Sequence, residues 1–328
     1  MTATTELPIE GALPELAGAT AWLNSEPLTP AGLRGKVVVV QFCTFSCVNW
    51  LRTLPYVKAW AGKYRNDGLV VIGAHSPEFP FEHDLDKIRS ALEGMGVDYP
   101  IAVDNEFAVW RAFDNAYWPA LYFVDAEGRI RHHHFGEEDY ERSERVIQQL
   151  LAEAGSDDID EDLVSVEPDG VYLAAEGDTV GSPETYVGYA RATGFASPGG
   201  LEPDRNRVYA EPPRLKLNHW ALSGNWTAGP QTTTLNEPGG RIVHRFHGRD
   251  LNLVLGSRAD GGPIRFLVQI DGKPPNGARG LDVDERGTGT VSEERLYQLV
   301  RQDGPVTERT FEITFLDAGA QAYVFTFG

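Results

Sequence analysis

The sequence predicts two domains, an α/β domain with a mixed sheet and helices on both faces, then an all-β sandwich of the jelly-roll kind. Three observations lead there. The chain has 328 residues, more than one hydrophobic core usually organises. Up to Ala154, strand-sized apolar runs alternate with stretches of helical period. Beyond Ala154, Gly and Pro become frequent and short alternating stretches replace the helical ones.

The elements follow in order. Residues 36–42, with the run Val37-Val38-Val39-Val40, read as a buried strand. Val48 to Arg65 reads as a helix carrying Leu51, Leu54, Val57 and Trp60 at helical spacing, with Pro55 expected to kink it. Asn66-Asp67-Gly68 is a turn into a second buried strand, Leu69 to Ala74. Leu85 to Met95 and Asn105 to Phe113 are helices. Ala120 to Asp125 and Ile130 to Phe135 form a hairpin across Ala126-Glu127-Gly128, and Tyr140 to Ala154 closes the domain. Strand–helix–strand followed by hairpin and helix implies a mixed sheet covered on both faces. The acidic run Ser156 to Asp162 marks a solvated linker over residues 155–180. The sandwich, 181–328, is expected to draw strands from Ile242 to Phe246, Leu251 to Leu255, Ile264 to Ile270, Phe311 to Phe315 and Ala322 to Phe327. The domain boundaries are thus 1–154, 155–180 and 181–328.

A formal net charge of −19 disfavours nucleic acid and anionic membrane surfaces, which need basic patches. No apolar run is long enough to span a bilayer. The start, Met1 to Glu6, lacks the basic and apolar regions of a secretory signal. The two cysteines lie in one five-residue segment, which is no disulfide framework and fits a cytoplasmic protein with a reactive thiol. No Gly-rich phosphate loop precedes a helix, so no cofactor is expected.

Cys47 lies where the first buried strand has run out and the helix begins. Unpaired N–H groups and the positive end of the helix dipole favour the thiolate there, which is the reactive form. The alternative is a buried structural cysteine. A dithiol centre would place a second cysteine at position 50, where the chain has Trp50.

The segment Phe42 to Pro55 resembles the thioredoxin-like redoxins of the DipZ type, relatives of the TlpA and ResA group. Cys47-Val48-Asn49-Trp50-Leu51-Arg52-Thr53-Leu54-Pro55 follows the family pattern, with Trp50 in place of its second cysteine and Cys43 where its tryptophan stands. The resemblance continues through His75-Ser76-Pro77-Glu78-Phe79, Tyr117-Trp118-Pro119-Ala120 and His134-Phe135-Gly136-Glu137. The second half is similar to the β-rich, carbohydrate-binding-module-like region that follows the redoxin domain in DipZ proteins, at Tyr186 to Arg191 and Ala322 to Gly328. The resemblance implies a thioredoxin fold, a nucleophilic Cys47, and a cis-proline at Pro119 that turns the Trp118 backbone toward the thiol. The membrane-spanning electron-transfer region of DipZ proteins has no counterpart in this sequence.

Other candidates carry two readings each. Cys43 either pairs with Cys47 as a resolving thiol, in a Cys-x-x-x-Cys motif, or is a small apolar filler. Pro119 is either the family cis-proline or a trans proline opening an edge strand. Glu78 and His75 follow the second strand. A carboxylate at Glu78 could take the thiol proton, or it is a solvated loop residue. His132 and His134 point to one face of their strand and His133 to the other, two coplanar ligands where a metal needs three or four. A copper-chaperone reading fails because the second cysteine would fall at Leu51 and the histidine near Tyr117. Tyr209, Trp220 and Trp226 either form a platform for sugar rings or belong to the sandwich core.

The leading expectation is thiol–disulfide redox chemistry on a thiol or disulfide substrate, protein or small molecule. Cys47 attacks, and Cys43 or an external thiol resolves the mixed disulfide; a peroxide-oxidised thiol cycle is a variant. The alternative is a degenerate scaffold that binds a protein or glycan through the sandwich, which Trp50 supports. A metal-binding redoxin is the lesser option.

Overall fold

The computed structural model describes residues 6–156, 158–177, 180–258 and 262–328. The first five residues, on which the N-terminal reading rests, and Asp157 of the acidic run lie outside them. The chain divides into two compact units, Met1–Leu173 and Ala174–Gly328.

The first unit is built on a seven-stranded sheet in the order β1-β7-β6-β3-β4-β5-β2. Its central strand β3 (Val37–Cys43) is buried along all seven residues. Four consecutive valines suit such a strand, because β-branched side chains pack on both faces of a pleat. β4 (Leu69–His75) and β5 (Ile101–Val103) continue the sheet in parallel. β6 (Ala120–Val124) joins the other edge of β3 antiparallel, and β7 (Arg129–Phe135) pairs with β6 as the expected hairpin. Its turn closes on Gly128, at φ 76°, while the Asp125 carboxylate accepts from the amides of Glu127 and Arg129. Two short strands, β1 (Gly11–Ala12) and β2 (Ala21–Leu23), finish the edges. They and the three-residue β5 are too short to show a period in the sequence.

Helices cover both faces. α1 (Val48–Lys63) and α4 (Tyr140–Glu153) lie on the face of Gln41, whose amide donates to Thr53 at 2.7 Å. Pro55 lies inside α1 without ending it. α3 (Ala108–Ala112) packs on the other face, where Val109 and Phe113 meet Val38, Val40 and Phe42. α2 (Leu85–Gly94) begins at Asp84, whose carboxylate caps the amides of Asp86 and Lys87. This is the expected thioredoxin fold.

The acidic segment, expected to be solvated, lies against this unit where it is described. The carbonyl of Glu161 accepts from Arg145 and Gln148, and the amide of Val164 donates to both oxygens of the buried Glu144 at 3.0 Å. Lys63 meets the Asp160 carboxylate and the carbonyl of Asp162. Polar groups of α1 and α4 thus give the backbone partners that composition alone does not reveal.

The second unit is an antiparallel β-sandwich, as the sequence predicts. Its strands are β8 (Thr185–Tyr186), β9 (Asn206–Tyr209), β10 (Trp220–Ala228), β11 (Thr233–Leu235), β12 (Arg241–His247), β13 (Asp250–Ser257), β14 (Ile264–Ile270), β15 (Thr288–Val291), β16 (Arg295–Arg301), β17 (Glu308–Phe315) and β18 (Ala320–Phe327). The order is β15-β14-β17-β12-β10-β11-β18-β13-β16, with β8 on β18 and β9 on β10. β10 serves both layers. Trp220–Ser223 pairs with β12, and Trp226–Ala228 pairs with β11. The strand bends at Gly224, whose φ of 93° suits glycine and whose missing Cβ would sit 2.9 Å from the Gly240 backbone. Alternating residues such as Phe266, Val268, Phe311, Ile313 and Phe315 fill the core.

Tyr209, Trp220 and Trp226 belong to that core, at 3%, 0% and 0% exposure. Their polar tips are satisfied inside; the indole of Trp220 donates to the carbonyl of Thr193 at 2.8 Å. Of the two readings these residues allow, the structure thus shows the sandwich core, and their burial rules out a sugar platform built on them. No helix among the described residues is long and apolar enough to cross a membrane.

Candidate functional site: a thiol at the start of α1

The loop between β3 and α1 is unusually dry. Thr44, Phe45 and Ser46 are all buried, and Phe45 stacks against His75 and tilts against Phe81, both at 5.7 Å. Cys47 is the residue at which the chain regains the surface: it is partly exposed and stands at the N-cap of α1, with φ −79° and ψ 115°. Its amide donates to Thr44 and its carbonyl accepts the first helical bond from Leu51 at 3.0 Å. A residue so placed stands at the end of the helix whose first-turn amides have no intrahelical partners.

Across from it, the Trp118–Pro119 peptide bond is cis, and the Cys47 thiol points at the Trp118 carbonyl oxygen, 4.0 Å away. Trp118 is held from behind. Its indole donates to the Ser76 carbonyl at 3.1 Å and its ring tilts against Trp110 at 4.3 Å. Ser76 in turn donates its amide to the Cys43 carbonyl and its hydroxyl to the buried Asp104, both at 3.0 Å. The ends of β3 and β4 and the loop before β6 therefore hold one another in place around the thiol.

The other expected site residues are arranged differently. Cys43 closes β3, is 1% exposed and forms no disulfide with Cys47. Burial pushes its thiol far above the ordinary thiol range, and the charges of Glu82 and Cys47 push the same way. Its sulfur lies 3.6 Å from the point where a Cβ on Gly73 would stand, so the glycine leaves the space it fills. Trp50 is fully buried and its indole nitrogen has no hydrogen-bond partner, so it fills the core and cannot touch a substrate. His75 is buried with both ring nitrogens unpartnered, and burial holds its pKa down at about 3. Glu78 is partly exposed, and its amide is bound by another carboxylate, that of Glu82.

Glu82 is the residue the sequence reading missed. It is fully buried in a single turn of 3-10 helix, Pro80–His83. One oxygen accepts from the amide and the hydroxyl of Ser46, at 3.2 and 2.7 Å; the other accepts from the amides of Glu78 and Phe79, at 2.7 and 2.9 Å. Burial raises its pKa while the hydrogen bonds it accepts act the other way. A proline at the first helical position and an acid two residues later were the available signal.

The three histidines of β7 separate. His133 pairs with Glu10 at 2.7 Å, His134 with the Glu137 carbonyl at 3.2 Å, and His132 tilts against Phe123. Among the described residues no group of three or more His, Cys, Asp or Glu side chains is placed to hold a metal ion.

A partly exposed thiol at the head of the helix after the central strand, facing a cis X–Pro carbonyl, defines a redoxin of the thioredoxin fold. The comparisons agree. The AhpC/TSA family matches residues 13–133, and the family described as "Thioredoxin like C-terminal domain" matches residues 182–328. The DipZ protein of Mycobacterium tuberculosis is 34% identical over 322 residues, 97% of this chain. The chain spans only 43% of that relative's length. The thiol-disulfide oxidoreductase YkuV of Bacillus subtilis is 33% identical over 141 residues, 43% of this chain and 95% of its own. A solved thioredoxin-like protein in the oxidised form is 34% identical with a TM-score of 0.41, covering 44% of this chain and 96% of its own. Through its first unit the chain belongs to the thioredoxin-like thiol–disulfide oxidoreductases, and along 97% of its length it is similar to the DipZ protein.

Proposed function

We propose that the first unit carries out thiol–disulfide exchange with Cys47 as its one nucleophile. The observation that carries this is the contrast between the two cysteines. Cys47 reaches the surface at a helix start, whereas Cys43 is buried and held protonated. The Cys47 thiolate attacks one sulfur of a substrate disulfide, the substrate S–S bond breaks, and the departing sulfur leaves as a thiolate. A mixed disulfide remains on Cys47. An external thiolate then attacks the substrate sulfur of that bond, forms a disulfide with it and releases Cys47 as a thiolate. Cys43 does not serve as resolving thiol in this conformation, because the nucleophile must be a thiolate and burial opposes that form. An extended substrate strand would lie beside the thiol, next to the partly exposed Trp118. Mass spectrometry after treatment with glutathione disulfide tests the reading. One glutathione should add to the protein and to Cys43→Ser, and none to Cys47→Ser. Addition to Cys43 in the Cys47→Ser protein would refute it.

The same reading puts the protein in a reducing compartment, the cytoplasm, because its cysteines serve as thiols and not as a structural framework. Recovery only from an extracytoplasmic fraction would contradict this.

A further inference from the structure

We infer that Glu82 is the positioning residue of the redox site: its single carboxylate bridges the loop that carries Cys47 to the loop that follows β4, and so sets where the thiol points. This rests on the reading of Cys47 as nucleophile and adds to it the group that makes the nucleophile's geometry reproducible.

Ser46, the residue before Cys47, offers Glu82 both its amide and its hydroxyl, and Glu78 and Phe79 offer amides from the other side. An ionised carboxylate is acceptor-only, so both of its oxygens can face N–H groups. No other acidic residue type suits the position equally: the aspartate side chain is one methylene shorter and cannot meet both loops. The enclosure is apolar, with Phe79 and Phe81 each nearly fully buried and Phe81 tilted against Phe45. A carboxylate in such a place is costly unless it is fully hydrogen-bonded, so its presence needs those four bonds. Burial accordingly works against its charge and the bonds sustain it. The turn pinned at Ser46 fixes the N-cap, and the N-cap fixes which amides of α1 face the Cys47 sulfur.

Two substitutions separate bridging from charge. Glu82→Gln keeps the shape but turns an NH2 group toward one pair of N–H donors. Glu82→Asp keeps the charge but loses the reach. The readout is the rate of Cys47 alkylation by iodoacetamide against pH, in full-length Cys43→Ser protein so that only one thiol reports. Glu82→Asp should move the inflection upward by about one unit, a roughly tenfold slower reaction at neutral pH, and Glu82→Gln upward by less, because it also removes a negative charge that disfavours the thiolate. Ser46→Ala, which leaves the other half of the bridge intact, should slow it about threefold, half a unit. Glu82→Asp at the parent rate overturns the inference, and so does a downward shift in Glu82→Gln, which would leave loss of the negative charge as the only effect of the substitution. Should the Glu82 variants fail to fold, Ser46→Ala decides: the parent rate in that variant overturns the inference. A Cys43→Ser parent that reacts no faster than an unperturbed thiol is a different result, for it defeats the nucleophile reading itself.

Discussion

Arg52 and Glu137 form an ion pair, Nη1 to Oε1 at 2.8 Å, that joins the buried side of the Cys47 helix to the turn between β7 and α4. The Arg52 side chain is 3% exposed and the Glu137 side chain 18%. Burial raises the pKa of Glu137, and the Arg52 charge and hydrogen bond oppose that rise.

Removing one partner of such a pair leaves an uncompensated buried charge. Arg52→Met should therefore destabilise the first unit by about 3 kcal/mol near neutral pH. Without Arg52 the Glu137 carboxyl holds its proton to still higher pH. The deficit relative to the parent should shrink as pH falls and Glu137 becomes neutral. Urea unfolding at pH 7 and pH 5 checks both statements. A deficit that does not change between them would contradict the assignment of the loss to Glu137.

Trp50 stands at the position of the family's second cysteine and is fully buried with an unpartnered indole nitrogen. A packing role predicts that Trp50→Ala costs about 3–5 kcal/mol. Trp50→Phe should cost clearly less, since no hydrogen bond is lost with the indole. Both variants, where folded, should still accept glutathione on Cys47. Denaturant unfolding and mass spectrometry check these outcomes.

His244 lies in the sandwich core between Phe325 and Phe327, at ring distances of 5.0 and 5.3 Å, and burial holds its pKa down at about 3 against an ordinary 6.5. The unfolded chain binds a proton there below pH 6.5, and the folded one does not until about pH 3. The stability His244 permits is thus full above pH 6.5 and falls as pH drops toward 3, by roughly 1.4 kcal/mol per unit for one group. His244→Phe should flatten the acid slope of the second unit's unfolding by that amount. An unaltered slope would show that the histidine is not buried in its neutral form.

The scaffold was legible because its signals are periodic. Four valines before a turn, a helical repeat at Leu51, Leu54 and Val57, and a hairpin around Gly128 each follow from one local rule. Cys47 was legible because the strand end and helix start bracket it. Glu82 was not, since its role comes from a 36-residue separation in sequence from Ser46 that no local pattern records. Glu78 looked the better acid because it follows the strand directly, yet the site uses its amide. The burial of Tyr209, Trp220 and Trp226 was likewise beyond composition, which counts aromatic rings without saying which way they face.

The account depends most on Cys47 being a more acidic and more accessible thiol than Cys43. The direct measurement is the pH dependence of alkylation of each cysteine, read separately in Cys43→Ser and Cys47→Ser proteins under native conditions. Cys47 should react with an inflection below the 8.5 of an unperturbed cysteine, and Cys43 should react only as fast as the protein opens. A Cys47 inflection at or above 8.5, or a Cys43 that matches its rate, would contradict the account.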